Sequence, residues 1–211
     1  MTVRSPTTQA SDLNARARIR EAALALFGSE GFAVPVRAIA DAAGVSAGLV
    51  IHHFGTKEGL REAVDESVMA AFRDRFASLP LDAPADELSL AMAGAFADVI
   101  AASPELRQYL RRSLLDGTPA SSTVVDQLLA SITRGLDRLQ RAGGLRDGSD
   151  PVWRPFQVLF VVLGPVLLEP VIQRHVDEPV YAPEAIRART AANYDFVSRG
   201  LFRGTAGGEQ P

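Results

Sequence analysis

The chain contains no cysteine. That excludes a disulfide framework and any thiolate chemistry. Histidine is scarce: there are three, and two of them, His52 and His53, are adjacent, a poor spacing for chelating a metal from one helix face. No metal or cofactor is expected. Neither a Ser-His-Asp set nor a glycine-rich phosphate loop can be assembled, so no enzymatic role is expected either. Long apolar runs are also missing. The longest, Val158–Leu168, holds eleven residues with Gly164 and Pro165 inside it. A bilayer span needs about 20, so this run is expected to be a buried helix, with no membrane partner. Met1–Leu13 is polar and lacks the apolar segment of a secretory signal, so a soluble cytoplasmic protein is expected. No stretch alternates apolar and polar residues long enough to form a strand, and no internal repeat occurs.

What is present favours helix. Leu, Ala, Val, Arg and Glu are frequent, and 47% of the 211 residues are apolar, enough for a real core in one large or two small domains. The net charge of −3 does not by itself suggest nucleic acid. Its distribution is uneven. Residues 1–57 carry six basic side chains against four acidic ones, so the remainder is acidic. A modestly basic head on an acidic body can orient a protein on DNA.

The periodicity predicts an all-α chain. Met1–Asn14 reads as a mobile arm. Ala15–Glu30 repeats Ile19, Ala22, Ala23, Leu26 and Phe27 at three- and four-residue steps, and Gly31 stops it. A long helix is predicted from Lys57 to about Ser78, capped by Thr56 and closed by Pro80 and Pro84. Further helices are predicted over Asp86–Ala102 (with Leu88), Glu105–Leu115, Ser121–Ala142 (with Val124), from Asp150-Pro151 to about Val176, and over Pro183–Phe202. Gly204–Pro211 reads as a solvated tail.

The most informative stretch is Val36–Lys57, VRAIADAAGVSAGLVIHHFGTK. It predicts a short helix to Ala43 with Pro35 at its start, a tight turn at Gly44, and a second short helix capped by Ser46 and ending at Phe54. Helices joined so tightly must cross steeply, which leaves one face of the second projecting. The major groove of DNA, about 12 Å wide, admits such a helix. Val45, Val50 and Phe54 are expected to face inward.

ALALFGSEGF (23–32), IADAAGVS (39–46) and HHFGTKEGL (52–60) resemble the DNA-binding domain of the TetR family of bacterial regulators, and AGVSxGxxxxHF followed by Lys57 is a specific combination. The resemblance covers about the first third of the chain. It implies an N-terminal three-helix helix-turn-helix DNA-binding domain over 13–72, with the motif at about 35–54. It also implies a C-terminal helical ligand-binding and dimerisation domain over 73–203, with flexible termini at 1–12 and 204–211. The partners it implies are double-stranded DNA, a second copy of the chain, and a small-molecule effector. Carried over by position, Ala47, Gly48, Leu49, Ile51, His52 and His53 face DNA and Lys57 meets a phosphate. Arg37 reaches a base or phosphate, and one of Arg16, Arg18 and Arg20 is a candidate for a further phosphate. The chain departs from the family in two places. Val50-Ile51 replaces the usual Leu-Tyr pair, which removes a phosphate-touching hydroxyl and offers an apolar contact for a thymine methyl. The connection before the second helix is one residue short, with Pro35 in place of a Ser or Thr cap.

In the body, Trp153–Val176 is apolar on nearly every face and needs cover on more than one side. By resemblance, 151–176 and 183–203 would form a four-helix dimer interface. Pro165 and Pro170 are expected to kink the first of these helices. Glu169 between them is expected to pair with Arg111, Arg112 or Arg174. Met92, Phe96, Tyr109, Trp153, Gln157 and Phe160 are the candidate lining of a pocket for a hydrophobic or amphipathic molecule. The implied function is a ligand-responsive repressor released from a palindromic operator. The alternative is a DNA-binding regulator without a small-molecule effector, switched by a protein partner or by abundance.

Overall fold

The computed structural model describes residues 6–80, 83, 85–117, 119–141, 143–145 and 150–201. Pro84, the side chains of Leu88 and Val124, and the tail Gly204–Pro211 lie outside the described residues. Among the described residues there are nine helices and no strand: α1 Pro6–Glu30, α2 Val36–Ala43, α3 Ala47–Phe54, α4 Lys57–Ala77, α5 Ala85–Ala102, α6 Pro104–Asp116, α7 Pro119–Arg141, α8 Arg154–Ile172 and α9 Pro183–Leu201. The all-α expectation holds. Two boundaries differ most: residues 6–14 continue α1 rather than forming an arm, and α8 is shorter than expected, Arg154–Ile172 rather than 151–176. Proline at the first helical position suits initiation of α1, and the polar start of that helix carries no apolar repeat for a periodicity reading to detect.

The chain divides into two compact units, Met1–Arg73 with Ser103–Ser121, and Asp74–Ala102 with Ser122–Pro211. The first unit is built around α1, whose Ile19, Ala23 and Phe27 are fully buried at four-residue spacing. Ile39 and Ala40 of α2, Val50 of α3, Leu60 and Val64 of α4 and Leu110 of α6 complete its core. Helix α6 packs along α1 at close range. A Cβ on Gly28 would lie 2.8 Å from the Tyr109 backbone nitrogen, so only glycine permits this approach. The aromatic rings of Phe27, Phe32 and Tyr109 cluster there, with Phe32 and Tyr109 edge to face at 5.7 Å.

A polar contact ties α6 to α4 in the same unit. The Tyr109 hydroxyl donates to the Asp65 carboxylate at 2.5 Å. Burial raises the Asp65 pKa, against the hydrogen bond from Tyr109 and the charge of Arg61, which both lower it. Burial and the adjacent carboxylate push the Tyr109 phenol up as well, so it stays a donor. Arg61 of α4 lies 3.8 Å over the Phe32 ring, a cation–π contact within the same unit.

The second unit consists of α5, α7, α8 and α9 together with the end of α4. Its core takes Phe96 and Ile100 from α5, Leu136 and Leu139 from α7, Leu145, Leu159, Leu163 and Val166 of α8, and Val180. Local signals set the ends of the helices in both units. In the first unit, Ser103 accepts a hydrogen bond from the Leu106 N–H at 3.1 Å, as the cap of α6 before Pro104. In the second, Gly143 takes φ 71°, and the Gly144 N–H returns to the Leu139 carbonyl at 2.8 Å, closing α7. The Asp150 carboxylate accepts from Val152 and Trp153 N–H groups at 2.8 and 3.2 Å, ahead of α8. Helix α8 runs uninterrupted through Pro165 and Pro170, each of which removes one N–H from its ladder without ending it.

Helix α8 has two unlike faces. Val158, Val162 and Val166 follow one another at four-residue steps and face inward. Trp153, Phe160, Leu168 and Val171 lie on the opposite stripe and are exposed, Phe160 to 61%. By length and composition α8 is apolar enough to cross a membrane, and 17% of its apolar window is buried. On α9, Phe196 is 71% exposed, in line with the small exposed residues Ala188 and Ala192.

Candidate nucleic-acid interface and ligand cavity

The geometry of α2 and α3 follows from three local devices. Gly44 adopts the left-handed conformation, φ 64° and ψ 41°, which reverses the chain within one residue. The Val45 N–H then donates to the Ala40 carbonyl at 3.0 Å, a helix-ending bond. Ser46 starts α3, its Oγ accepting from the Leu49 N–H at 3.2 Å. At the far end Thr56 caps α4 through the Gly59 N–H at 3.0 Å. The α3–α4 corner is so close that a Cβ on Gly59 would sit 2.3 Å from the Phe54 carbonyl oxygen. Ile39, Ala40 and Ala43 of α2 and Val50 of α3 pin both helices to the core.

The outer surface of the pair is what remains. Gly48, Ile51 and His52 of α3 are exposed, Ile51 to 45%, as is Arg37 of α2. Ala47, Leu49 and Lys57 are half-buried along the edge of that surface. His53 differs from the outward position expected of it. Its side chain is 7% exposed, and Nε2 lies 3.4 Å from the Asp12 carboxylate of α1. The neighbouring His52 and Phe54 rings close around it. Successive helix residues are about 100° apart, so outward His52 turns His53 toward α1. The same α1 edge brings Arg16 forward, its guanidinium 5.4 Å over the Phe54 ring. Sequence reading left Arg16, Arg18 and Arg20 equivalent; the packing of α1 against α3 singles out Arg16. This surface is therefore apolar and imidazole-bearing in the middle, with Arg37, Arg16 and Lys57 around it. Such a pattern suits base edges flanked by phosphates.

The second unit encloses a cavity of about 530 Å³ between α5, α7, α8 and α9. Of the six residues expected to line a pocket, Met92 and Phe96 do. The other four do not. Tyr109 is in the first unit, bonded to Asp65. Trp153, Gln157 and Phe160 fall on the outer stripe of α8, and the inner one supplies Val158, Val162 and Val166 instead. In an all-apolar helix, periodicity cannot say which stripe faces in. Sequence reading also missed Arg189 of α9, which lines the cavity from a polar helix face. Its pKa is lowered by burial, while Tyr181 and Glu169 act to retain the charge.

The pattern that describes bacterial regulatory proteins of the tetR family matches residues 19–64, the segment that holds α2, α3 and the start of α4. A helix-turn-helix transcriptional regulatory protein of Mycobacterium tuberculosis, RaaS, is 42% identical over 144 residues. That match spans 68% of this chain and 65% of the length of that relative. Among solved structures, the fatty acid degradation regulator FadR from Bacillus halodurans superposes with a TM-score of 0.70 at 17% identity, over 93% of this chain and 96% of that one. SmeT, the repressor of the Stenotrophomonas maltophilia multidrug efflux pump SmeDEF, superposes with 0.69 at 22% identity, over 93% and 97%. The fold is that of a helix-turn-helix head followed by a helical body. The head, over residues 19–64, is that of the TetR family of bacterial regulatory proteins.

Proposed function

We propose that this protein is a dimeric transcriptional repressor that grips a palindromic DNA site and is released by an apolar small molecule. The reading head is 13–72, with α6 packed against it, and the rest of 73–203 supplies the regulatory and dimerising surfaces. The observation that carries the reading is the surface of α3: Gly48, Ile51 and His52 stand outward on a helix pinned from behind by Val50. Ile51 meets a thymine methyl, His52 and Arg37 reach base edges or backbone, and Lys57 and Arg16 hold phosphates. Ala47 and Leu49 fill the edge of the contact. His53 acts from behind, keeping α3 against α1.

Two copies are needed because half-sites lie about 34–36 Å apart on successive grooves. The outer stripes of α8 and α9 supply the joint, since exposed Phe160, Leu168 and Phe196 beside Ala188 and Ala192 suit close helix packing against the same stripes of a second copy. The cavity supports the effector half of the proposal over regulation by partner or abundance alone. A change of a few ångströms between the two heads is enough to weaken DNA binding, and coupling of roughly 1–3 kcal/mol would lower affinity about 5- to 150-fold.

The test is a binding titration at fixed salt, because phosphate contacts make affinity salt-dependent. Duplexes enriched by the protein from a random pool should contain an inverted repeat and bind one dimer. Enrichment of no common sequence, or of sites bound by a monomer, would defeat the proposal.

A further inference from the structure

The cavity in the second unit is apolar over most of its wall, through Met92, Phe96, Leu128, Ile132, Val158 and Val162. Its charged lining residues are Arg138 and Arg189, and no Asp or Glu is among them. The two arginines differ. Arg138 is exposed at the solvent side of α7, whereas Arg189 is half-buried. Arg189 is also held in place. Its Nη1 donates to the Val180 carbonyl at 2.6 Å, and its guanidinium lies 5.0 Å from the Tyr181 ring centroid. Among the described residues this is the one hydrogen bond that Arg189 makes, out of five N–H donors on a guanidinium. The acidic group close enough to influence it is Glu169 of α8, which is not part of the cavity wall. A cation half withdrawn from water, fixed by a backbone carbonyl and an aromatic ring, and facing an apolar chamber without carboxylates is arranged to receive an anion. Thr190 and Asn193, on the same side of α9, add neutral polar groups beside it.

We infer that the cavity takes an amphipathic anion, an apolar chain ending in a carboxylate, with Arg189 holding the carboxylate and the valines of α8 covering the chain. The volume of about 530 Å³ falls inside the range of small-molecule sites, roughly 300–1,000 Å³. The inference rests on the proposed effector role of this cavity and adds the chemistry of the head group. It separates this site from an apolar pocket that selects by shape alone. Guanidinium and carboxylate match as planar, bidentate partners, so a neutral alcohol of the same chain length should lose most of the interaction and a cationic amphiphile should be rejected.

The experiment is calorimetric titration of the full-length protein with dodecanoate, dodecanol and dodecyltrimethylammonium, each below its micellar concentration. Wild type should bind dodecanoate at least about tenfold more tightly than dodecanol, the scale of one hydrogen bond to a charged group, and the ammonium ion more weakly than either. Arg189→Met should bring dodecanoate to the dodecanol level, and Arg189→Lys should keep part of the preference. Because Arg189 also holds the Val180 carbonyl, dodecanol affinity in each variant reports whether the chamber is intact. Equal wild-type affinity for acid and alcohol, or a preference that survives in Arg189→Met, overturns the inference. The same amphiphiles are then added to the protein–DNA complex. Dodecanoate that binds without releasing DNA supports the anion site and defeats the effector reading. Release by all three amphiphiles alike does the reverse. Failure of all three to bind overturns both.

Discussion

The two units of this chain are held together differently. The first is closed by backbone-scale fits. Gly28 lets α1 touch α6, Gly59 lets α3 turn into α4, and the Tyr109–Asp65 bond ties α6 to α4. Its large side chains are inward, apart from the α3 surface and a few isolated residues such as Leu13 and Leu115. The second unit leaves space inside and apolar surface outside: a cavity of about 530 Å³, and stripes on α8 and α9 where Phe160 and Phe196 face solvent in the single chain. A unit closed by tight fits around a fixed surface, and a unit that keeps internal space and apolar outer stripes, suit the two halves of the proposed regulator. Unpacked volume and uncovered apolar stripes, costly in an isolated domain, become binding sites.

The contrast can be broken at four points, in order of expected effect. The largest is at the outer stripes. Phe160→Glu combined with Phe196→Glu places charges on both sides of the proposed symmetric joint, so the protein should sediment as a monomer with its helix content and head intact. DNA affinity should fall about a hundredfold or more as the avidity of two linked heads disappears. A variant that remains dimeric would move the joint elsewhere. Next is Gly28→Val, which forces a branched side chain into the α6 backbone. A loss of about 1–3 kcal/mol or more is expected in chemical denaturation, and a stability equal to wild type would mean that α1 and α6 do not touch as described. Third is Tyr109→Phe, which leaves the half-buried Asp65 carboxylate without its hydroxyl donor. It should cost about 1–3 kcal/mol, while dodecanol affinity in the other unit stays unchanged.

The smallest effect is a pH dependence. Burial raises the Asp65 pKa above its ordinary 3.8. The folded chain then holds this proton more tightly than the unfolded chain. Its contribution to stability is complete below 3.8 and is lost as the pH rises through the folded-state value. Asp65→Asn keeps an acceptor for Tyr109 and removes the titration. Its stability should therefore fall less than that of wild type between about pH 4 and pH 7, and parallel curves would rule Asp65 out as the source.

The head was legible in the sequence because its signals are local. Gly44, Ser46 and Thr56 act within four residues of where they stand, and Pro104 behind Ser103 marks the start of α6 in the same way. The missed features depend on contacts distant in sequence. The sequence reading placed residues 104–116 with the body, whereas α6 packs with the head; the one residue that makes this possible, Gly28, reads as an ordinary interruption in a helical pattern. The sequence points to Trp153, Gln157 and Phe160 rather than Val158, Val162 and Val166 for the cavity because a helix apolar on every side gives no sign of which stripe turns in. His53 looked outward because it follows His52 in a family motif, but a step of about 100° sends it to Asp12. Arg189 carried no signal at all, since a lone arginine on a polar helix reads as solvated surface.

The central claim, that the exposed face of α3 reads base sequence, is tested most directly by comparing an enriched duplex with its scrambled form at one salt concentration. The measurement is the ratio of their affinities for wild type, Arg37→Ala, and Ile51→Ala with His52→Ala. The account predicts that the variants remain dimeric and melt like wild type while the ratio falls, by about 1–3 kcal/mol for each base-reading side chain removed. An undiminished ratio in every variant would contradict it.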